Sequence, residues 1–123
     1  MRALVDRYLD AYNRMDVDAM LATMQDAVVF ENHTAGVLAL RTLGIAELRH
    51  LAESSRHLFS ARRQTITAWR EEGDRAYASI RFDATFAIDL PNGARAGQSI
   101  AMEGRSEFRQ HDGLLVYIAD HSG

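Results

Sequence analysis

Between Arg75 and Leu90 the even positions read Ala76, Ala78, Ile80, Phe82, Ala84, Phe86, Ile88 and Leu90, whereas the odd ones include Arg75, Arg81, Asp83 and Asp89. Alternation of this length has a period of two, so it excludes a helix and fits a strand with one face on a core and the other in water. The pattern recurs: Ile100, Met102, Gly104, Ser106 and Phe108 alternate with Glu103, Arg105, Glu107 and Arg109. Leu114, Val116, Ile118, Asp120 and Ser122 continue on the corresponding side. The turn signals "EEGD", "PNG" and "HDG" separate these runs, so the chain from Arg62 onward is expected to be a meander of long antiparallel hairpins.

Loop length fixes who faces whom. With three-residue loops in the two later turns, Leu90 pairs with Ala94 and Gln110 with Leu114. Arg81 then lies opposite Glu103 on the outer face, a charge pair that favours this register. On the inner face Asp120 falls opposite Gly104, with Ser106 one step along. A slip of one residue would turn every side chain over.

The first sixty residues follow a different period. Leu4, Val5, Tyr8, Leu9 and Tyr12 recur at three- and four-residue spacing, with Asp6, Arg7, Asp10 and Arg14 on the other side, which predicts an amphipathic helix. Asp16 stands as an N-cap before a second helix whose apolar stripe is Val17, Met20, Leu21 and Met24. A short apolar run, "VVFENHTAG" over residues 28–36, reads as one strand ending near Asn32, and Ile45, Leu48, Leu51, Ala52, Ser55, Leu58 and Phe59 mark a third helix. Helix, helix, short strand, helix and meander together predict an α+β domain, one curved sheet with three helices on its concave face.

Residues 1–123 read as a single domain, of a size that buries roughly two-thirds of its unfolded surface, with no internal repeat or linker. The net charge is −3 and all fourteen basic residues are scattered arginines, so no basic stripe offers itself to nucleic acid. The absence of cysteine removes thiolate nucleophiles and sulfur-rich metal sites. The five histidines lack metal-ligand spacing, no nucleotide-binding glycine motif or nucleophile elbow occurs, and no metal or cofactor is expected. "MRALVDRYLDAY" is too charged for a signal peptide or membrane span, and a cytoplasmic protein without membrane partners is expected.

Several residues stand out against that background. Asp120 is a carboxylate on an otherwise apolar inner face, where such groups seldom lie without a partner and where desolvation raises their pKa; fraying at the strand end would instead leave it in water. Tyr8 and Tyr12 sit one turn apart on an apolar helix face, as core aromatics or as cavity walls. Asn32 either ends its strand or hydrogen-bonds a ligand, and His33 beside it is a loop histidine within reach of a pocket mouth.

"RYLDAYNRMDVDAMLATMQDAVVFEN", "EGDRAYASIRF" and "GRSEFRQHDGLLVYIAD" resemble the NTF2-like superfamily, and within it the SnoaL-like and ketosteroid-isomerase-like proteins. The resemblance covers nearly the whole chain. It implies a conical, cystatin-like curved antiparallel sheet with three helices enclosing a pocket, and a homodimer through the outer sheet face. It places Tyr8 where ketosteroid isomerases keep the tyrosine that donates to the enolate oxygen. Asn32 falls at their aspartate general base, which a carboxamide cannot replace, and Ser106 at their protonated aspartic acid, a known instance of pKa tuning. Asp120 matches an acidic residue that SnoaL-like polyketide cyclases use as acid/base catalyst.

Three readings follow. In the first, a cofactor-free isomerase or cyclase moves a proton next to a carbonyl of a small hydrophobic substrate: Asp120 is the acid/base, Tyr8 and Asn32 hold the enolate oxygen, and Tyr12, Phe82, Phe86, Met102, Ser106, Ile118 and His33 bind the substrate. In the second, the same pocket binds a ligand without catalysis. In the third, the interior is filled and the domain serves only to dimerise.

Overall fold

Apolar residues at helical spacing wind Arg2–Asn13 into α1, which buries Leu4, Val5, Tyr8, Leu9 and Ala11. The Asp16 side chain accepts from the Ala19 N–H at 3.0 Å and so caps α2, Val17–Leu21. The computed structural model describes all 123 residues. After α2 come β1 (Met24–Thr34), β2 (Val37–Leu43), α3 (Ile45–Ser55), a 3-10 turn over Arg56–Leu58, β3 (Phe59–Glu72), β4 (Arg75–Phe86), β5 (Ser99–His111) and β6 (Leu114–Ser122). The six strands form one sheet in the order β2-β1-β6-β5-β4-β3. Every neighbouring pair is antiparallel except β1 and β6, which run parallel. None of the helices is long and apolar enough to cross a membrane.

Some boundaries differ from the sequence reading. The second helix stops at Leu21, so Met24 opens β1 rather than extending the helical stripe. The third helix ends at Ser55, and Phe59 begins β3. β4 ends at Phe86, which leaves Ile88 and Leu90 in the loop to β5. β1 runs past Asn32 to Thr34, and β2, which the sequence reading lacks, returns along it through Ala35 and Gly36, both at positive φ (52° and 80°). These are the angles of a type I′ turn, here built on Ala-Gly instead of the usual Asn-Gly.

The β4–β5 register is the expected one, with Arg81 opposite Glu103, and the Leu90 N–H still reaches the Ala94 carbonyl at 2.8 Å. The β5–β6 register is not. Asp112 and Gly113 both take positive φ (51° and 78°), so the loop has two residues and His111 pairs with Leu114. A bulge then sets Val116 outside the ladder, between the pairs Gln110–Leu115 and Arg109–Tyr117. Each change shifts the pairing by one residue. Together they keep Asp120 on the inner face but move it from Gly104 to Ser106, and they turn Leu115, fully buried, inward in place of Leu114 and Val116.

The core lies between the helices and the concave sheet face. Val5, Val28, Phe108, Leu115 and Ile118 are its largest fully buried side chains, and Tyr8 packs edge-on against Phe108 with ring centroids 6.2 Å apart. Along β4 the inward side chains stay buried from Ala76 to Phe86, except for the half-buried Phe82.

Candidate functional site

Asp120 stands near the end of β6, between Ser106 of β5 and Asn32 of β1. The Ser106 hydroxyl donates to Asp120 Oδ1 at 2.7 Å. Asp120 opens onto a cavity of about 160 Å³ and is enclosed by protein elsewhere; desolvation pushes its pKa up to about 6, with the Ser106 bond opposing the shift. A carboxyl poised there exchanges protons in both directions near neutral pH.

Besides Asp120 and Ser106, the cavity is lined by Tyr12, Asn32, Gln64, Ile80, Phe82 and Met102, with Glu103, Gly104, Arg105, His121 and Ser122 completing it. Tyr12 reaches it from the last turn of α1, which is held to β3 by a reciprocal pair: Asn13 Nδ2 donates to the Gln64 carbonyl at 3.2 Å, and the Gln64 N–H donates to Asn13 Oδ1 at 2.7 Å. Burial raises the Tyr12 pKa, with the Arg62 charge opposing, so its phenol stays protonated and can donate. Gly104 contributes no room for a ligand. A Cβ there would lie 2.6 Å from the His121 carbonyl oxygen, so the missing side chain is filled by the backbone of β6 bending over it.

The other residues singled out in the sequence fall into two groups. Tyr8, 4% exposed, and Ile118 pack in the core behind the cavity; burial and the Asp120 charge hold the Tyr8 phenol well above its usual pKa. Phe86 stacks on Phe59 at 5.3 Å, and Phe59 meets Phe82 edge-on at 5.8 Å, which extends the aromatic wall away from Asp120. His33 is not at the pocket mouth but on the outer sheet face.

Sequence reading missed what surrounds His33. Glu31, also facing outward, accepts from Tyr117 Oη at 2.7 Å, from Arg41 at 2.7–2.8 Å, and sits 2.9 Å from His33 Nε2. The hydrogen bonds from His33 and Tyr117, more than the Arg41 charge, bring the Glu31 pKa down to about 2, and burial, followed by the same carboxylate, pushes Tyr117 up to about 12. His121 stacks on His33 at 4.5 Å, and desolvation and that neighbour lower its pKa. With the strand read as ending near Asn32 and His33 as a loop residue, this cluster left no mark in the sequence; it forms because β1 runs on to Thr34 and pairs in parallel with β6. A wider, open groove of about 440 Å³ crosses the outer face beside them, past Arg70, Tyr77 and Arg105.

A model of the SnoaL-like domain matches residues 5–118. No curated protein matches the sequence. Among solved structures, an NTF2-like protein of unknown function from Burkholderia pseudomallei K96243 is 19% identical, with 99% of this chain and 89% of the other covered and a TM-score of 0.80. A protein provisionally named a polyketide cyclase, from Xanthomonas campestris pv. campestris, is 23% identical over 99% and 89% of the two chains, TM-score 0.76. A protein with a ketosteroid isomerase-like fold from Catenulispora acidiphila DSM 44928, in complex with trimethylamine, is 13% identical over 95% and 82%, TM-score 0.78. At these identities the structures establish the shared NTF2-like architecture, and the match over residues 5–118 establishes the lineage: this chain belongs to the SnoaL-like domain family.

Proposed function

We propose that the chain is a cofactor-free acid–base catalyst of the isomerase or cyclase type, acting next to a carbonyl of a small apolar substrate. The observation that carries this reading is Asp120, a carboxyl with its pKa pushed up to about 6, bonded to Ser106 and facing a cavity with an apolar wall. The ionised carboxylate takes a proton from the carbon beside the carbonyl, and the C–H electron pair moves onto the carbonyl oxygen as an enolate. Asn32 and Tyr12, both lining the cavity, supply N–H and O–H donors to that oxygen. Asp120 then returns its proton at another carbon, which isomerises the substrate. Alternatively the enolate carbon attacks a second carbonyl and the proton goes to the new alkoxide, which closes a ring.

Proton exchange from 2-tetralone in D2O, followed by NMR, tests this directly. The protein is expected to accelerate exchange at the carbons beside the carbonyl, with a rate that rises through about pH 6 as Asp120 ionises. Asp120→Asn is expected to lose about 100-fold or more, the range of a general base. Exchange no faster than in buffer, or unaffected by the substitution, would rule the catalytic reading out.

The position of Tyr8 favours a second reading, a ligand-binding protein without catalysis. The tyrosine that the resemblance makes the enolate donor is packed behind the cavity, not in its wall. Ligand affinity that is the same in wild type and Asp120→Asn, without proton exchange, distinguishes this reading. Either activity fits a homodimer through the outer sheet face, which is supported by the fixed Glu31 cluster and by Leu38 and Leu43 beside it, 41% and 58% exposed.

A further inference from the structure

Of the fourteen arginines, twelve are exposed. Arg109 is half-buried and binds Glu107 at 2.7 Å. Arg62 is also half-buried, yet no carboxylate lies within 4 Å of it. Its place on β3 is inner-facing, two residues before Gln64 of the cavity wall, in register with Ala84 of β4. Its Nε donates to the Tyr12 carbonyl at 3.0 Å, in the last turn of α1, and its Cζ lies 3.8 Å from the centre of the Tyr12 ring. Both contacts fix the guanidinium as a plate stacked on Tyr12, outside the lining of the Asp120 cavity and in a separate groove with Ala84, Thr85 and Ile100, and leave its two Nη groups without an acidic partner. Its charge is felt by Tyr8 and Tyr12 alike.

We propose that Arg62 is a specificity residue, and that the ligand is an elongated apolar ring compound with a carboxylate at the end remote from Asp120. The inference rests on reading the Asp120 cavity as the ligand site. The carbonyl end of the ring meets Asp120 and Asn32 in the cavity, its body runs out past Phe82 along the Phe59–Phe86 stack, and its acid end projects from the cavity into the groove where the N–H donors of Arg62 lie. A guanidinium held by stacking and one hydrogen bond is preorganised for a carboxylate fork. Such a partner also explains why a half-buried cation on this face carries no carboxylate of its own. Recognition of the acid by Arg62 keeps it away from Asp120, whose ionised form would repel it.

The test compares 2-naphthol, 6-hydroxy-2-naphthoate and its methyl ester by isothermal titration calorimetry. Wild type is expected to bind the acid about tenfold or more tighter than the ester, as charge-assisted bidentate pairing requires. Arg62→Met should erase that preference and Arg62→Lys should keep part of it, with far-UV circular dichroism and a cooperative thermal transition like those of wild type as evidence that the variants fold. Equal affinity of acid and ester for wild type, or a preference that survives Arg62→Met, would overturn the proposal and leave Arg62 as a helix cap. Failure of 2-naphthol itself to bind wild type would overturn the cavity reading as well, so the two failures are told apart.

Discussion

Asp120 costs the fold stability in order to be available. Its pKa is pushed from 3.8 in the open chain to about 6 in the folded protein, so the native state holds its proton more tightly than the unfolded state does. The penalty is absent below about pH 4, grows between about pH 4 and 6 as the unfolded carboxyl ionises first, and is complete above, at roughly 3 kcal/mol. Asp120→Asn keeps an acceptor for the Ser106 hydroxyl and removes the charge. Its urea midpoint is therefore expected to exceed that of wild type at pH 8 and to match it near pH 4; a variant that is destabilised at both would mean that the carboxylate has favourable partners besides Ser106. Glu31 runs the other way. Its stabilising bonds, which hold its pKa near 2, are fully present above about pH 4.5 and are lost as pH falls toward 2. Glu31→Gln should accordingly lower the melting temperature at pH 7 and converge with wild type under strong acid.

The pairing of whole strands decides which residues meet, and here the sequence was legible in part. Period two fixed the inner and outer faces of β4 and β5, and the Arg81–Glu103 pair fixed their register. The last hairpin was harder. Asp-Gly at 112–113 is a two-residue type I′ signal, but the bulge at Val116 leaves no local mark, because both Leu115 and Val116 suit a core. The two errors cancel in parity, which is why Asp120 was placed on the correct face with the wrong neighbour. β2 escaped notice because Ala-Gly is an unusual I′ turn and "VLALRTL" lacks alternation. Gly104 shows how closely β5 and β6 fit: Gly104→Ala drives a Cβ against the His121 carbonyl at 2.6 Å. Backbone cannot yield as a flexible side chain can, so a loss of about 1–3 kcal/mol is expected, with 2-naphthol binding weakened as the end of β6 moves. Thermal unfolding with and without 2-naphthol measures both effects.

The two faces of the single sheet carry different chemistry. The concave face presents a desolvated acid in an apolar cavity, and the convex face an ionised Glu31 clamped by Arg41, Tyr117 and His33. Parallel pairing of β1 with β6 builds both, since it sets Asn32 beside Asp120 on one side and His33 beside His121 on the other. If the convex face joins two copies, light scattering at pH 7 gives twice the 13.8 kDa of the chain, and Leu43→Arg on that face returns the monomer. Nothing in the sequence alone could have linked Glu31 to Tyr117, since 86 residues separate them.

Asp120 does its work only as a protonatable group in a ligand-accessible cavity. The most direct measurement is an NMR titration of its carboxyl carbon in the free protein and with 2-naphthol bound. A midpoint near 6 that shifts when 2-naphthol binds is the predicted result. A midpoint near that of an ordinary aspartate, unmoved by 2-naphthol, would contradict it.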